Sequence, residues 1–314
     1  MSPHKIVTLT LNPAVDVSSV VDRVVPAHKL RCAQVRHDAG GGGINVARVL
    51  HRLGAETLAI FPVGGAMGQV LEQLVGDEGV PYLALRISGE TREDFAITDT
   101  TANAQYRFVL PGPELTATER AACLAAVARA LEPSDYLVAS GSLPPGTPPD
   151  FYADVALAAA KAGASFVLDT SGAALRAALG ESVHLIKPSQ RELGDLVGQV
   201  LADRDACLAA ARSIVASGGA EIVAVSLGEA GALLVSKEFA LEARAPKVTA
   251  VSTVGAGDSF LAAMVFAMAR DLAPVECLKL AIAAGSAALL QPGTELSQPE
   301  DIERLAAGIE VRAL

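Results

Sequence analysis

The stretch STVGAGDSF, residues 252–260, places small, flexible residues before an aspartate inside a strongly apolar run. Gly255, Ala256 and Gly257 leave backbone N–H groups unobstructed at the start of the helical pattern DSFLAAMVFAMA. The positive end of the helix dipole lies there, so the run makes an anion hole. Asp258 at its mouth reads in two ways. As an N-cap it would be worth about 1 kcal/mol. As a general base it would take the proton of an attacking alcohol while the amides stabilise charge on phosphoryl oxygens. A cap needs none of the glycines, so the second reading is favoured.

Three other junctions carry residues that could act with it. In DAGGGGINVARVL, residues 38–50, four glycines run into a helix. Such a run is costly in backbone entropy and is expected where a ligand approaches the main chain. The alternative is a loose loop capping the helix. Asn45 falls inside the first turn, where its amide could grip a hydroxyl. In VASGSLPPG a strand ends in small residues and leaves Ser142 near the carboxyl end of the sheet, the edge where open α/β sheets bind ligands. In LIKPSQREL, Lys187 follows a strand and precedes a rigid proline bend, so it either is a solvated charge or reaches a phosphate. VSLGEAGALL, with Ser226, Gly228 and Gly231, taken alone reads as a hairpin turn.

These junctions need a scaffold, and the hydrophobic pattern supplies one. The β-branched runs KIVTLTL, LAIFPVG, YLVASGS, SFVLDTS and EIVAVSLG alternate with Ala/Leu-rich helical patterns such as INVARVLHRLG and FYADVALAAAKAG. Near-continuous apolar strands separated by helices predict an α/β fold, a doubly wound and mostly parallel sheet with helices on both faces. Two segments, residues 14 to about 38 and about 86 to 110, alternate like antiparallel strands and contain no helix pattern. They predict a small β-sheet lid on a single domain spanning 1–314. The alternation in 14–38 leaves an apolar face that a thin sheet cannot cover, which predicts a homodimer formed through the lids.

Composition narrows the partners. With 51% hydrophobic and 19% charged residues among 314, the chain can bury a large core. A net charge of −10 and the lack of a Lys/Arg cluster argue against nucleic acid. Cys32, Cys123, Cys207 and Cys277 show neither CxxC nor zinc-ligand spacing, so a reduced, cytoplasmic setting is expected. No run has the pattern of a signal peptide or the roughly 20 apolar residues of a membrane span. There is no GxxxxGK[ST] loop, no intact GxGxxG, no GxSxG elbow and no HExxH.

Together, TVGAGDSF and GGGGINVARVL resemble the C-terminal and N-terminal signatures of the ribokinase-like (PfkB) sugar kinases. Within that family the chain resembles the minor, non-P-loop type of bacterial 6-phosphofructokinase. The resemblance spans essentially the whole chain, through KLRC, AIFPVGG, QYRFVLPG, SGSLPPG, VSLGEAGAL and AAGSAALLQPGT. It implies a kinase using ATP with Mg²⁺ and acting on a sugar phosphate, with Asp258 as base and residues 255–257 as anion hole. It implies that Asp16, Gly41, Asn45 and Ser142 line the sugar pocket. Arg92 would bind the substrate's phosphate, with Lys29 reaching across a dimer and Arg31 or Arg107 as further donors. Lys187 would face ATP phosphates, and Ser226, Gly228, Gly231 and Ser286 would border the nucleotide. A monovalent-cation site, K⁺ in kind, is implied near Ser252, Val254, Ala288, Gln291 and Gly293.

One motif departs from the family. Its NxxE, which helps organise Mg²⁺, reads Ser189-Gln190-Arg191-Glu192 here, so Glu192 is kept and the amide is replaced by a shorter hydroxyl. Fructose 6-phosphate is the acceptor the resemblance favours, with fructose 1-phosphate and tagatose 6-phosphate as alternatives within the family. From other classes, a nucleotide-dependent oxidoreductase lacks its glycine fingerprint. A non-catalytic sugar-phosphate sensor would have no use for Asp258 beside an anion hole.

Overall fold

A computed structural model describes residues 4–314. The chain begins with β1 (Ile6–Leu9), then β2 (Ala14–Val21), β3 (Ala33–Gly40), α1 (Gly42–Arg52), β4 (Thr57–Val63), α2 (Gly65–Asp77) and β5 (Tyr82–Arg86). It continues with β6 (Arg92–Asp99), β7 (Ala104–Val109), α3 (Ala117–Ala130), β8 (Tyr136–Ser140), α4 (Phe151–Ala162), β9 (Ser165–Asp169), α5 (Gly172–Ala178) and β10 (Val183–Ile186). The remaining elements are α6 (Gln190–Val197), α7 (Arg204–Ala216), β11 (Ile222–Ser226), β12 (Ala232–Val235), β13 (Ala240–Ala243), α8 (Ala256–Met268), α9 (Pro274–Ala288), α10 (Pro299–Ala306) and β14 (Val311–Ala313).

Ten strands form the main sheet in the order β14-β13-β12-β11-β10-β9-β8-β1-β4-β5. From β5 through β11 all neighbours are parallel, and β12, β13 and β14 close one edge antiparallel. Such strands are buried on both faces because helices cover both. Along β8, Leu137 and Ala139 pack toward Cys123, Tyr152 and Val155, and Val138 between them packs toward Val46, Leu50 and Leu261. Each fully buried Leu, Val or Phe of this kind contributes roughly 1.5–3 kcal/mol. The doubly wound expectation from the apolar runs is therefore met.

Strand β1 has β4 on one side and β8 on the other, so the chain winds in opposite directions from it. That arrangement opens a crevice beyond the carboxyl ends of β1 and β8. The segments after β1, β8, β9 and β10 all begin at this edge, and they carry most of the residues singled out from the sequence.

The second sheet has the order β3-β2-β6-β7, built from the two alternating segments expected to form the lid. Asp16 pairs with Asp38 on β3 and with Asp94 on β6, so three carboxylates lie in a row on one face. The other face carries Val15 and Val17, which are buried with Leu71 and Val75 of α2. The apolar face expected within residues 14–38 is thus largely covered inside the chain. The exposed apolar side chains of the lid strands are instead Tyr106, Phe108 and Val109 of β7 and Val35 of β3, 40%, 55%, 61% and 60% exposed.

The start of α1 is wedged into the main sheet. A Cβ on Gly43 would stand 2.6 Å from the Leu9 carbonyl oxygen, where backbone cannot yield. Replacing a helical glycine by alanine ordinarily stabilises by up to about 1 kcal/mol. Gly43→Ala should reverse that sign and destabilise by about 1–3 kcal/mol through overpacking. Urea unfolding at equal or higher stability would show that α1 is free to move off β1.

Candidate active site

Helix α8 is capped by Gly255 in the left-handed conformation at φ 73°, with no side-chain cap bond. A Cβ there would lie 2.2 Å from Leu296 Cδ2, so only glycine lets the turn form under that leucine. Leu296 is itself left-handed at φ 62°, strained for a bulky residue. The first helical N–H bonded within this turn is Ser259 N, which donates to the Gly255 carbonyl. The N–H groups of Ala256, Gly257 and Asp258 are left to point out of the helix start.

Asp258 is the third helical residue, not the cap. Its Oδ2 accepts a hydrogen bond from Asn45 Nδ2 at 2.9 Å, and among the described residues no protein donor reaches Oδ1. Burial raises its pKa above the ordinary carboxylate value, opposed by the Asn45 bond and by the positive charges of Lys187, Arg107 and Arg48. The capping alternative has no hydrogen bond to support it. Asn45 is reached through the glycine run: β3 ends at Gly40, Gly41 turns at φ 112°, and α1 begins at Gly42.

Lys187 follows β10 and is buried, with Nζ 3.2 Å from Asp169 Oδ2 at the end of β9. The same Nζ lies 3.4 Å from where a Gly257 Cβ would be, so it flanks the anion hole. Burial opposes its charge, yet Asp169, Asp258 and Glu192 together raise its pKa. Burial likewise lifts Asp169 to about 6, with Lys187 holding it down. Asp169 was not singled out from the sequence, because a lone Asp after VL reads as a strand terminator. Ser189 caps α6 and forms a capping box: Glu192 Oε2 accepts from Ser189 N and Oγ, both at 2.8 Å. The pattern Ser-x-x-Glu is the sequence signature of that box, so here the serine fixes Glu192.

On the lid side, Asp16 is seated against Gly40, whose Cβ would fall 2.4 Å from Asp16 Oδ1. Burial lifts its pKa to about 7, with Asp94 and Asp38 adding and Arg107 and Arg48 opposing. Ser142, just past β8, accepts a 3.3 Å hydrogen bond from Asn12 Nδ2, which bridges the crevice between β8 and β1. Arg92 donates to the carbonyls of Leu110 at 2.8 Å and Asn12 at 3.2 Å, while its buried Nε has no partner among the described residues. Lys29 and Arg31 lie on the exposed β2–β3 loop and make no hydrogen bond into the crevice among the described residues.

The remaining residues fall at the opposite rim. Ser226 ends β11 and its N–H donates to Pro188, tying the Lys187 segment to the next strand. Gly228 and Gly231 bracket a single 3₁₀ turn leading into β12, the hairpin expected from the sequence. A Gly231 Cβ would meet the Ala243 carbonyl at 2.0 Å. Ser286 is buried in α9, next to Gly285, whose Cα faces the Ala256 carbonyl. Ser252 Oγ donates to the Gly293 carbonyl at 3.2 Å and accepts from Val254 N at 3.2 Å. Gln291 N donates to the Ala288 carbonyl at the end of α9 and Ser252 N donates to the Leu289 carbonyl, so the two segments that carry the five residues of the cation-site expectation meet there.

Three free N–H groups, a buried lysine and a mobile-proton acceptor can bind a phosphoryl group and deprotonate a hydroxyl beside it. Among the described residues no three His, Cys, Asp or Glu side chains are spaced to hold a metal alone.

The Asp16 shift has a consequence for stability. Its pKa is 3.8 unfolded and about 7 folded, so its protonated form contributes fully below about pH 4 and the contribution is lost as pH rises toward 7. Asp16→Asn should stabilise the ligand-free protein at pH 8 by about 1–3 kcal/mol and by much less at pH 5. Denaturant titrations showing an equal gap at both pH values would rule this out.

Comparison with known proteins places these features in one family. Residues 7–301 match the model of the pfkB family carbohydrate kinases. The "ATP-dependent 6-phosphofructokinase isozyme 2" of Mycobacterium tuberculosis is 44% identical over 300 residues, covering 96% of this chain and 88% of that protein. Phosphofructokinase-2 from Escherichia coli, solved in complex with substrates and products, superposes with a TM-score of 0.93 at 41% identity, covering 96% of this chain and 98% of that one. The same enzyme has been solved with potassium and in a tetrameric inhibited form, at TM-scores of 0.93 and 0.92 and identities of 41% and 40%, each covering 97% of this chain and 98% of the other. On the family match and this similarity across nearly the whole chain, the protein belongs to the pfkB family of carbohydrate kinases.

Proposed function

We propose that the protein is an ATP-dependent 6-phosphofructokinase that phosphorylates fructose 6-phosphate at its 1-hydroxyl to give fructose 1,6-bisphosphate. The observation that carries this reading is Asp258, held by Asn45 at one oxygen and open at the other, directly beside the unpaired N–H groups of α8 and Lys187. Oδ1 of Asp258 takes the hydroxyl proton as the sugar oxygen bonds phosphorus and the bond to the leaving ADP breaks. The amides of residues 256–258 and the ammonium of Lys187 hold the charge that develops on the phosphoryl oxygens.

Substrate is oriented by the lid face of the crevice. Asp16 has no protein donor among the described residues, and sugar hydroxyls supply it, with Gly41, Asn45 and Ser142 completing the pocket. Arg92 binds the 6-phosphate, its buried Nε being the donor left unused by the protein. Lys29 adds a second cation from the partner's lid. Ser226, Gly228, Gly231 and Ser286 border the nucleotide. Bound Mg²⁺ would supply charge neutralisation between the phosphates, with Glu192 ordering its waters. The carbonyl-rich loop of Ser252, Val254, Ala288, Gln291 and Gly293 suits K⁺, a reading supported by the potassium complex of the E. coli enzyme.

The chain works as one domain with its lid at about 14–38 and 86–110, in a cytoplasmic setting consistent with four free cysteines. Among the described residues no helix is long and apolar enough to cross a membrane. It assembles as a homodimer through the lids, since Tyr106, Phe108 and Val35 leave an apolar face exposed.

Assay of the wild type and Asp258→Asn against fructose 6-phosphate, fructose 1-phosphate and tagatose 6-phosphate with ATP and Mg²⁺ tests the function. Fructose 6-phosphate should be preferred, and the variant should lose roughly 10²- to 10⁴-fold in kcat with KM and melting temperature nearly unchanged. A folded, active variant refutes the base; preference for another sugar phosphate refutes only the acceptor. Sedimentation at micromolar concentration should show a dimer that Phe108→Asp shifts to monomer. A fully active wild-type monomer would refute assembly through the lids.

A further inference from the structure

Helix α1 carries one charged side chain on its buried face. Arg48 is 1% exposed among Ile44, Ala47, Val49 and Leu50. Burying a guanidinium is expensive, and a buried ion pair is weak evidence for stability, because apolar residues of similar size often serve as well. The charge therefore needs an explanation other than packing.

Its hydrogen bonds supply one. Nε donates to Glu78 Oε1 at 2.8 Å, and one terminal nitrogen, Nη2, approaches the same oxygen at 2.5 Å. The other, Nη1, donates to the Ala39 carbonyl at 2.9 Å and to Asn45 Oδ1 at 3.2 Å. Glu78 is held from its far side as well, where Oε2 accepts from Arg52 at 2.8 Å. The guanidinium is thus fixed by strand β3, the end of α2 and α1 together. What it presents to Asn45 is a rigid donor.

An asparagine amide has nearly the same shape either way round, but its two ends carry opposite hydrogen-bonding character. Turned over, Asn45 would set its Oδ1 against Asp258 Oδ2, acceptor facing acceptor, and its NH₂ against a guanidinium that can only donate. We propose that Arg48, clamped by Glu78, is a positioning residue for catalysis: it holds the Asn45 amide so that Nδ2 engages Asp258 Oδ2 and Oδ1 is left for the sugar hydroxyl. Arg48 is linked to the reacting atoms by hydrogen bonds through Asn45, and its charge also acts on Asp258, so kcat is compared on the high-pH plateau where Asp258 is ionised in every variant. The proposal rests on Asp258 being the base.

The test is a double-mutant cycle on kcat and KM. Folded Arg48→Met should lose roughly 10²-fold in kcat, the scale of a misplaced catalytic group, with both KM values within about threefold of wild type. Arg48→Lys, which keeps a donor without the two-pronged hold on Glu78, should recover part of that loss. Added to Asn45→Ala, Arg48→Met should change kcat by less than about twofold, since independent sites would instead give additive losses. A purely structural role would lower melting temperature and leave kcat per folded molecule and the Asn45 coupling unchanged. If Arg48→Met does not fold, Glu78→Gln and Arg48→Lys carry the test, each expected to lower kcat several-fold at constant KM. Wild-type kcat in the folded variants, or losses additive with Asn45→Ala, overturns the proposal. Asp258→Asn measured alongside separates the two readings: if it stays active the base itself is wrong, and if it is inactive while Arg48→Met is fully active, only the role of Arg48 is wrong.

Discussion

One hydrogen bond joins the two ends of the site: Asn45 Nδ2 to Asp258 Oδ2, across 213 residues of chain. Each partner is brought there by a helix start that only small residues permit. Helix α1 begins against β1 and Ser140, where Gly42 and Gly43 leave no room for a Cβ, and α8 begins under Leu296, where Gly255 leaves none. The two glycine-rich motifs are therefore two halves of one geometric condition. If either helix began half a turn later, the amide and the carboxylate would no longer meet, and the free N–H groups of α8 would aim elsewhere.

Charge balance explains why such a site can sit half-buried. Asp258 and Asp169 are both destabilised as anions by burial, and Lys187 lies close enough to act on both. Lys187 is in turn destabilised by burial, and the surrounding carboxylates more than offset this. None of the three would keep its charge alone in this position. Two carboxylates and one ammonium sum to one negative charge, so the positive potential facing the crevice is local and comes from the Lys187 ammonium and the main-chain N–H groups at the start of α8. That is the sense of the field an incoming phosphoryl group requires, in a protein whose overall charge is −10.

The layers of the fold were legible because parallel strands covered on both faces must be continuously apolar, as YLVAS and EIVAV are. The glycine-rich helix starts were legible for the complementary reason, since nothing but close approach explains four consecutive glycines. Asp169, Asn12 and Glu78 were not, because a polar residue at a strand or helix end is indistinguishable in sequence from an ordinary solvated one. Arg48 left a faint trace: a charge three residues beyond Asn45 on an otherwise apolar helix, hence on the same face. Ser189 shows a different difficulty. Weighed against an expected asparagine it looked like a loss, yet its local spacing to Glu192 spells the capping box that the structure forms. The lid's strands followed from their alternation, whereas the choice of which apolar residues stay exposed depended on α2 docking over Val15 and Val17.

The period of two that built the lid also ties its faces together. Arg107 pairs with Ala96 and Phe108 with Phe95, so the two neighbours on β7 point to opposite sides. The Arg107 charge acts on both Asp16 and Asp258, which puts its side of the strand toward the crevice. Phe108 then faces outward with Tyr106 close to its plane of exposure. Strand β7, like β3, lies at an edge of the four-stranded sheet and is held from one side only, so it is more easily displaced than β2 or β6. Whatever packs on Phe108 therefore also restrains Arg107, so that covering the apolar face and setting the electrostatics of the crevice become consequences of the same contact.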